Sequence, residues 1–299
     1  MFLTKYLDLP MGHRNIDFVD IRTDSDTELF IDPCLIELGL DSRSRYANRL
    51  ICDFADTLFA EMRSQHWENT RLLDDGHEVN AIKLGYGNGR NGKGKTADGL
   101  SDCFYGLQQL ANGIPSISQI QDLSVLVQDF AEDSMSDLLA NLLHRVLCNF
   151  TQEQMGKYGV AADCSQEVRS WDPIHHRWII TQEPCWLCEG HPILLVPKQW
   201  VRPNFLFNAH QYLCCVIIKR LKDTPEYDGL SIKDILSQLS RTTYHWEYDR
   251  AIDETMASPD LLSEYHGRML SFYKRKGGIL TDDDLDRVVY HCTFFDQAG

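Results

Sequence analysis

Apolar positions along the chain recur with two periods, and their alternation predicts its elements. From Tyr46 through Met62, residues Ala47, Leu50, Ile51, Phe54, Leu58, Phe59 and Met62 follow one another at steps of three and four, the spacing of an amphipathic helix. The same spacing is cleaner in Met135, Leu138, Leu139, Leu142, Leu143, Val146, Leu147 and Phe150. This run predicts one core helix of about four turns, opened by Ser134-Met-Ser-Asp137 as a capping box. Helical periodicity returns in the last third, over Phe205–Lys222, Ser231–Ser240, Pro259–Arg275 with Ser258 as N-cap, and Asp282–Tyr290.

Short apolar runs stopped by turn residues predict strands. Asp17–Ile21 and Glu28–Ile31 flank the acidic turn Asp24-Ser-Asp26 and read as a hairpin, and Val79–Leu84 reads as a strand that leads through a glycine-rich loop into a helix over Ala97–Leu110. Arg177–Thr181 and Ile193–Val196 read as partners across Glu189-Gly-His-Pro192. The fold class expected is α+β, with mixed sheet elements, several amphipathic helices and a helical C-terminal third. A shift toward Trp, Ile and Val near Val168 divides the chain into an N-terminal region, 1–160, and a Trp-rich strand region followed by helices, 161–299, a division that one continuous domain also accommodates.

Charge narrows the partners. A net charge of −15, from 44 acidic against 29 basic residues, opposes nonspecific binding along a nucleic-acid backbone. It leaves local nucleic-acid contact through Arg90–Lys95 or Lys274-Arg275-Lys276 as the compact basic options. A protein partner or homo-oligomer is expected instead, with aromatic residues between Trp171 and Trp200 as anchors. The ten cysteines, several of them (Cys52, Cys148, Cys214, Cys215) within apolar helical patterns, fit reduced thiols in the cytoplasm, and the start Met-Phe-Leu-Thr-Lys-Tyr lacks the apolar stretch of a signal peptide. No apolar run approaches the span of a bilayer.

Three constellations carry candidate chemistry. Residues 89 to 96 fit G-x-x-x-x-G-K-T, in which Gly89 and Gly94 free backbone N–H groups for phosphate oxygens, Lys95 meets the outer phosphates and Thr96 holds the metal of ATP or GTP. A Gly/Lys-rich connector matches the same pattern, no later strand ends in the Asp that would complete the metal site, and a connector is the expected outcome. Asp133, Asp137 and Asn141, four apart, form one polar stripe on a helix, which with Asp32 at a strand end offers oxygens to Mg²⁺ or Mn²⁺. Helix-start acids also arise simply to cap N–H groups and oppose the macrodipole. Cys185-x-x-Cys188-x-x-His191, with Cys164, His175 and His176 upstream, has ligand types suited to zinc, although a turn accounts for the same order. Lys198 lacks the acid two residues earlier that an E-x-K nuclease strand requires, because Val196 stands there, and no Cys–His pair is singled out by spacing.

Leu29-Phe-Ile-Asp-Pro33, Lys83-Leu-Gly-Tyr-Gly-Asn-Gly89, Asp133-Ser-Met-Ser-Asp-Leu-Leu-Ala-Asn-Leu-Leu143, Phe150-Thr-Gln152 and Leu194-Leu-Val-Pro-Lys198 together resemble an uncharacterised bacterial protein family over most of residues 17 to 201. The resemblance implies a cytoplasmic accessory-genome protein with a role in antiphage defence or mobile elements, and it carries no settled activity. Three functional expectations stand. The first is a metal-dependent phosphodiesterase or nuclease-like effector, with Asp32, Asp133 and Asp137 on the metal and Lys83 or Lys95 on phosphate. The second is a noncatalytic sensor or assembly subunit of a defence complex, and the third a P-loop nucleotide-binding protein.

Overall fold

Asp41 opens the longest helix, its carboxylate accepting from the backbone N–H groups of Arg43 and Ser44, each at 3.0 Å. The computed structural model describes residues 1–64, 72, 80–86, 108, 110–128, 130, 132–240, 245–275 and 278–291. Before that helix lie α1 (Leu3–Tyr6), β1 (Phe30–Ile31) and α2 (Pro33–Leu38), and the helix itself is α3 (Ser42–Met62). Every apolar residue named for it above is buried. A three-residue 3-10 turn at Asn80–Ile82, α4 (Leu123–Leu126), α5 (Glu132–Leu142) and α6 (His144–Lys157) follow. The next elements are β2 (Cys164–Asp172), β3 (Arg177–Cys188), β4 (His191–Ile193) and β5 (Val201–Arg202). Helix α7 (Ala209–Tyr212) runs through a π-turn, Leu213–Ile217, into α8 (Ile218–Lys222), and α9 (Ile232–Leu239), α10 (Trp246–Ala257), α11 (Asp260–Arg275) and α12 (Asp282–His291) follow among the described residues.

The expected α+β class holds: two small antiparallel sheets, β1-β5 and β2-β3-β4, are set among helices, and the C-terminal region is helical. One buried apolar cluster extends from Leu3 to Val289, so both sequence regions feed the same core. The single core helix expected over Met135–Phe150 is two helices, α5 and α6, meeting at Leu143. Hydrogen bonds from Leu143 N–H to Leu139 O and from Leu147 N–H to Leu143 O, both 2.9 Å, carry the apolar face across the junction. Ser134 lies inside the first turn, because α5 begins at Glu132.

Strand pairing departs further from the sequence pattern. Asp17–Ile21 does not pair with Glu28–Ile31. It lies extended along 196–198, with Val19 N–H on Val196 O at 3.0 Å and Lys198 N–H on Asp17 O at 3.1 Å, while β1 pairs with β5 across Phe30↔Arg202 and Ile31↔Val201. Phe18–Ile21 and Leu29–Ile31 are buried at every position, and such runs find partners from distant parts of the chain. Residues 80–84 form the 3-10 turn and one bridge, Thr27↔Leu84, instead of a strand. The main partner of β3 is β2, and only its end, Trp186 to Cys188, pairs with β4.

The β2–β3 hairpin sits on α3: Phe54 meets Trp171 edge-on at 5.0 Å and Trp178 at 5.8 Å, and Trp171 Nε1 donates to Asp53 Oδ2 at 2.7 Å. Trp171, Trp186 and Trp200 are buried, so these indoles anchor the core rather than a partner surface. Of the cysteines expected in the core, Cys148 is buried, Cys214 and Cys215 are half-buried, and Cys52 is exposed. Among the described residues no helix is long and apolar enough to cross a membrane.

Candidate functional site

The residues expected to bind metal serve other tasks. Asp32 is the N-cap of α2: its Oδ1 accepts from Cys34 N–H at 2.9 Å and its Oδ2 from the Tyr273 hydroxyl at 2.8 Å. Burial pushes this carboxyl up to about 6, against the opposing effects of Tyr273, the Cys34 N–H and Arg202. Asp133 and Asp137 sit half-buried on the polar stripe of α5. Among the described residues no group of three or more His, Cys, Asp or Glu side chains gathers closely enough to hold a metal ion, so Asp32, Asp133 and Asp137 are not brought to one point. Lys83 takes a left-handed backbone conformation (φ 52°), and its carbonyl accepts from Thr27 N–H at 3.0 Å. Gly89, Gly94, Lys95 and Thr96 lie outside the described residues.

The zinc expectation fails on strand geometry. Cys185 and Cys188 both belong to β3, where side chains alternate between faces, so two thiols three residues apart point to opposite sides of the sheet. Cys185 is opposite Cys164, and Cys188 is opposite His191. His175 bonds Asp172 at 2.6 Å and His176 Nδ1 lies 3.2 Å from Asp53 Oδ1, both at the hairpin tip. Lys198 is tied to Asp282 of α12 at 2.7 Å and to the carbonyl of His13.

What the structure does assemble is a polar cavity of about 180 Å³ where α4, α5, α7 and α10 approach one another. Its walls are Ser124, Glu132, Phe205, Asn208, Ala209, His210, Glu247 and Tyr248. Asn208 positions one wall as the N-cap of α7, its Oδ1 accepting from Gln211 N–H at 2.9 Å while its Nδ2 donates to Phe205 O at 2.8 Å. His210, the second residue of α7, places Nδ1 2.8 Å from Glu247 Oε1 of α10 and Nε2 3.7 Å from Cys214 Sγ. Ser124 is 3 % exposed, and its hydroxyl oxygen, closed off from solvent behind the wall, has no hydrogen-bond partner among the described residues. A buried polar group left open in this way costs about 1–3 kcal/mol, which a ligand that reaches it can recover.

The glycine-rich stretch departs from beside this cavity. Gly85 N–H donates to Thr27 O at 3.0 Å, and a Cβ on Gly85 would stand 3.0 Å from Asp133 Oδ1, in a conformation (φ +143°) that L side chains rarely adopt. The next residue, Tyr86, packs on Phe30 at 4.8 Å and donates to Glu132 Oε2 at 3.3 Å. Burial and the charges of Glu132, Asp133 and Glu28 push its hydroxyl up to about 12. Two carboxylates face the cavity, and no described wall residue is lysine or arginine, so its field favours cations.

The carboxylate–imidazole–thiol order Glu247–His210–Cys214 has the connectivity of a nucleophile relay. Burial, Cys215 and Glu247 all push the Cys214 thiol up, which opposes the thiolate such a relay needs. The sequence pattern had singled out none of Ser124, His210, Glu247 or Tyr248. His210 and Glu247 meet only across the α7–α10 contact, 37 residues apart in the chain, so no local spacing joins them.

A family described as "Domain of unknown function (DUF8370)" matches residues 9–208. The matched region includes Ser124, Glu132, Phe205 and Asn208, while His210, Glu247 and Tyr248 follow it. No curated protein and no solved structure matches the chain.

Proposed function

Because the chain belongs to the DUF8370 family, whose description assigns no activity, its function has to be argued from the cavity, and we propose that it is a noncatalytic sensor or binding subunit that captures a small cationic group, an amine or a guanidinium. The observation that carries this reading is the unpartnered hydroxyl of Ser124 in a cavity walled by Glu132 and Glu247. Two carboxylates and a hydroxyl accept the N–H donors of such a group, and the rings of Phe205 and Tyr248 offer faces to its charge. At about 180 Å³ the cavity is below the range of about 300–1,000 Å³ usual for drug-sized ligands, which suits an amine head rather than a nucleotide. The charge of −15 steers cations toward it.

A cation on Glu132 competes with the Tyr86 hydroxyl, whose 3.3 Å bond is long for an O–H donor, and so links the cavity to the point where the glycine-rich stretch begins. This is the sensing step in the proposal.

The test is calorimetric titration with agmatine, putrescine and a short arginine-rich peptide, with succinate as the anionic control. Binding of at least one cation, weakened about tenfold or more by Ser124→Ala and by Glu247→Gln, is the expected result. A free amine and a side chain on a partner are told apart by whether agmatine or the peptide binds more tightly. Succinate binding with no response to any cation would sink the proposal, as would cation binding that both variants leave unchanged.

A further inference from the structure

The register of the β2–β3 hairpin sets Cys164 directly opposite Cys185. Opposed residues of an antiparallel pair project from one face with Cβ atoms about 4.5–5.5 Å apart, at the edge of the range of about 3.5–4.5 Å that a disulfide accepts. The two thiols lie within electrostatic reach of each other, Cys185 Sγ donating to Trp186 O at 3.7 Å, and both cysteines are free. They differ in access: Cys164 is exposed and Cys185 is buried at 3 % exposure. One sulfur is therefore open to an oxidant and the other is held behind it, the arrangement of an attacking and a resolving thiol.

We propose that Cys164 and Cys185 form a reversible disulfide that staples the open end of the β2–β3 hairpin, with a low-molecular-weight disulfide such as oxidised glutathione as the oxidant. In the first step the Cys164 thiolate attacks one sulfur of glutathione disulfide. The glutathione S–S bond breaks, one glutathione thiolate leaves, and Cys164 carries a mixed disulfide. In the second, Cys185 gives its proton to solvent and attacks Cys164 Sγ, and the second glutathione leaves as thiolate. Two protein thiols lose two electrons and two protons, and one glutathione disulfide is reduced to two thiols.

The surroundings set the rate and name the competitor. Burial, Cys164 and Asp163 push the Cys185 thiol up to about 11, so the second step quickens as pH rises. Cys148 lies within electrostatic reach of Cys185 from below, but burial, Glu183 and Cys185 push its thiol up to about 12, and it is only 1 % exposed. It has the poorer access to an oxidant. On the other side of β3, Cys188 faces away from the pair.

The experiment uses the full chain carrying Cys52→Ser, which removes an exposed thiol of α3 that is not part of the pair. The protein is equilibrated with oxidised glutathione at pH 8, quenched with N-ethylmaleimide under denaturing conditions, and digested without reductant for mass spectrometry. A Cys164–Cys185 linked peptide is expected, with loss of both thiols to alkylation, recovery in dithiothreitol, and a melting temperature raised by several degrees in the oxidised form. Cys164→Ser, at an exposed position, should fold normally, leave Cys185 alkylatable and abolish the shift. Glutathione retained on Cys164 with Cys185 free would overturn the proposal. So would linkage of either residue to another cysteine such as Cys148, or no reaction at Cys164.

Discussion

Replacing Asp32 by asparagine changes how stability depends on pH, and the structure sets the size of the change. Burial pushes the folded carboxyl up to about 6, whereas in an unfolded chain it titrates near about 3.9. Between about pH 4 and 6 the folded state keeps a proton that the unfolded state has lost, so this group's contribution to stability falls as pH rises through that window and is flat above it. A displacement of about two pH units corresponds to roughly 3 kcal/mol for a group this deeply buried. Asparagine keeps an acceptor for the Cys34 N–H but offers the Tyr273 hydroxyl a poorer partner, a loss of about 1 kcal/mol at every pH. Asp32→Asn should therefore be about as stable as wild type at pH 4.5 and more stable by about 2 kcal/mol at pH 7. Guanidinium denaturation of both proteins at pH 4.5, 5.5 and 7 isolates this site, because every other titrating group, including the half-buried Glu37, is common to the two. Parallel profiles, with a difference that stays within about 0.5 kcal/mol across the window, would refute the argument.

Other substitutions probe how distant segments are joined. Trp200→Phe removes the indole donor to Ser44 Oγ (2.9 Å) and part of a fully buried ring, and should cost about 2–4 kcal/mol in urea denaturation. Gly39→Ala sets a methyl 2.3 Å from Ser44 Cβ and 2.4 Å from its Oγ, so the start of α3 must shift; a loss of about 1–3 kcal/mol is expected, and Ser44→Gly in the same chain should restore part of it. Tyr290→Phe leaves the buried Asp20 carboxylate without its 2.8 Å donor from α12, which should cost about 1–3 kcal/mol and speed amide exchange in Asp282–His291 more than in α3.

How much of the fold could be read in advance depended on the range of the interaction. Helices α3, α5, α6, α9, α11 and α12 were legible because each carries an apolar stripe that recurs within its own sequence. The pairings of β1 and of the Asp17–Ile21 run were not, because their partners are remote. The Asp17–Ile21 run has an apolar neighbour at Glu28–Ile31, yet both segments pair with residues near 196–202. Local pattern gives the presence of an extended run and leaves its mate undetermined. Helix α10 is as amphipathic as α3, but its fully buried positions are Ala251 and Thr255, small side chains that a search for large apolar residues at helical spacing passes over.

The candidate chemistry divides along the same line, since residue type was visible and direction was not. Cys185-x-x-Cys188 has ligand types and spacing that suit zinc when the chain turns between them. On an extended strand the same spacing points one thiol at Cys164 and the other at the His191 side, so one fact about β3 removes a metal site and creates a pair of opposed thiols. Asp32 reads as a strand-end ligand, yet the following proline starts a helix there, and a carboxylate in that position is drawn to the free N–H groups of the first turn. The cavity at Ser124 had no sequence signature, because its walls come from residues as far apart as Ser124 and Tyr248 and its most telling feature is a hydrogen bond left unmade. An unfilled donor or acceptor is a property of packing, and it emerges only when α4, α7 and α10 have been brought together around it.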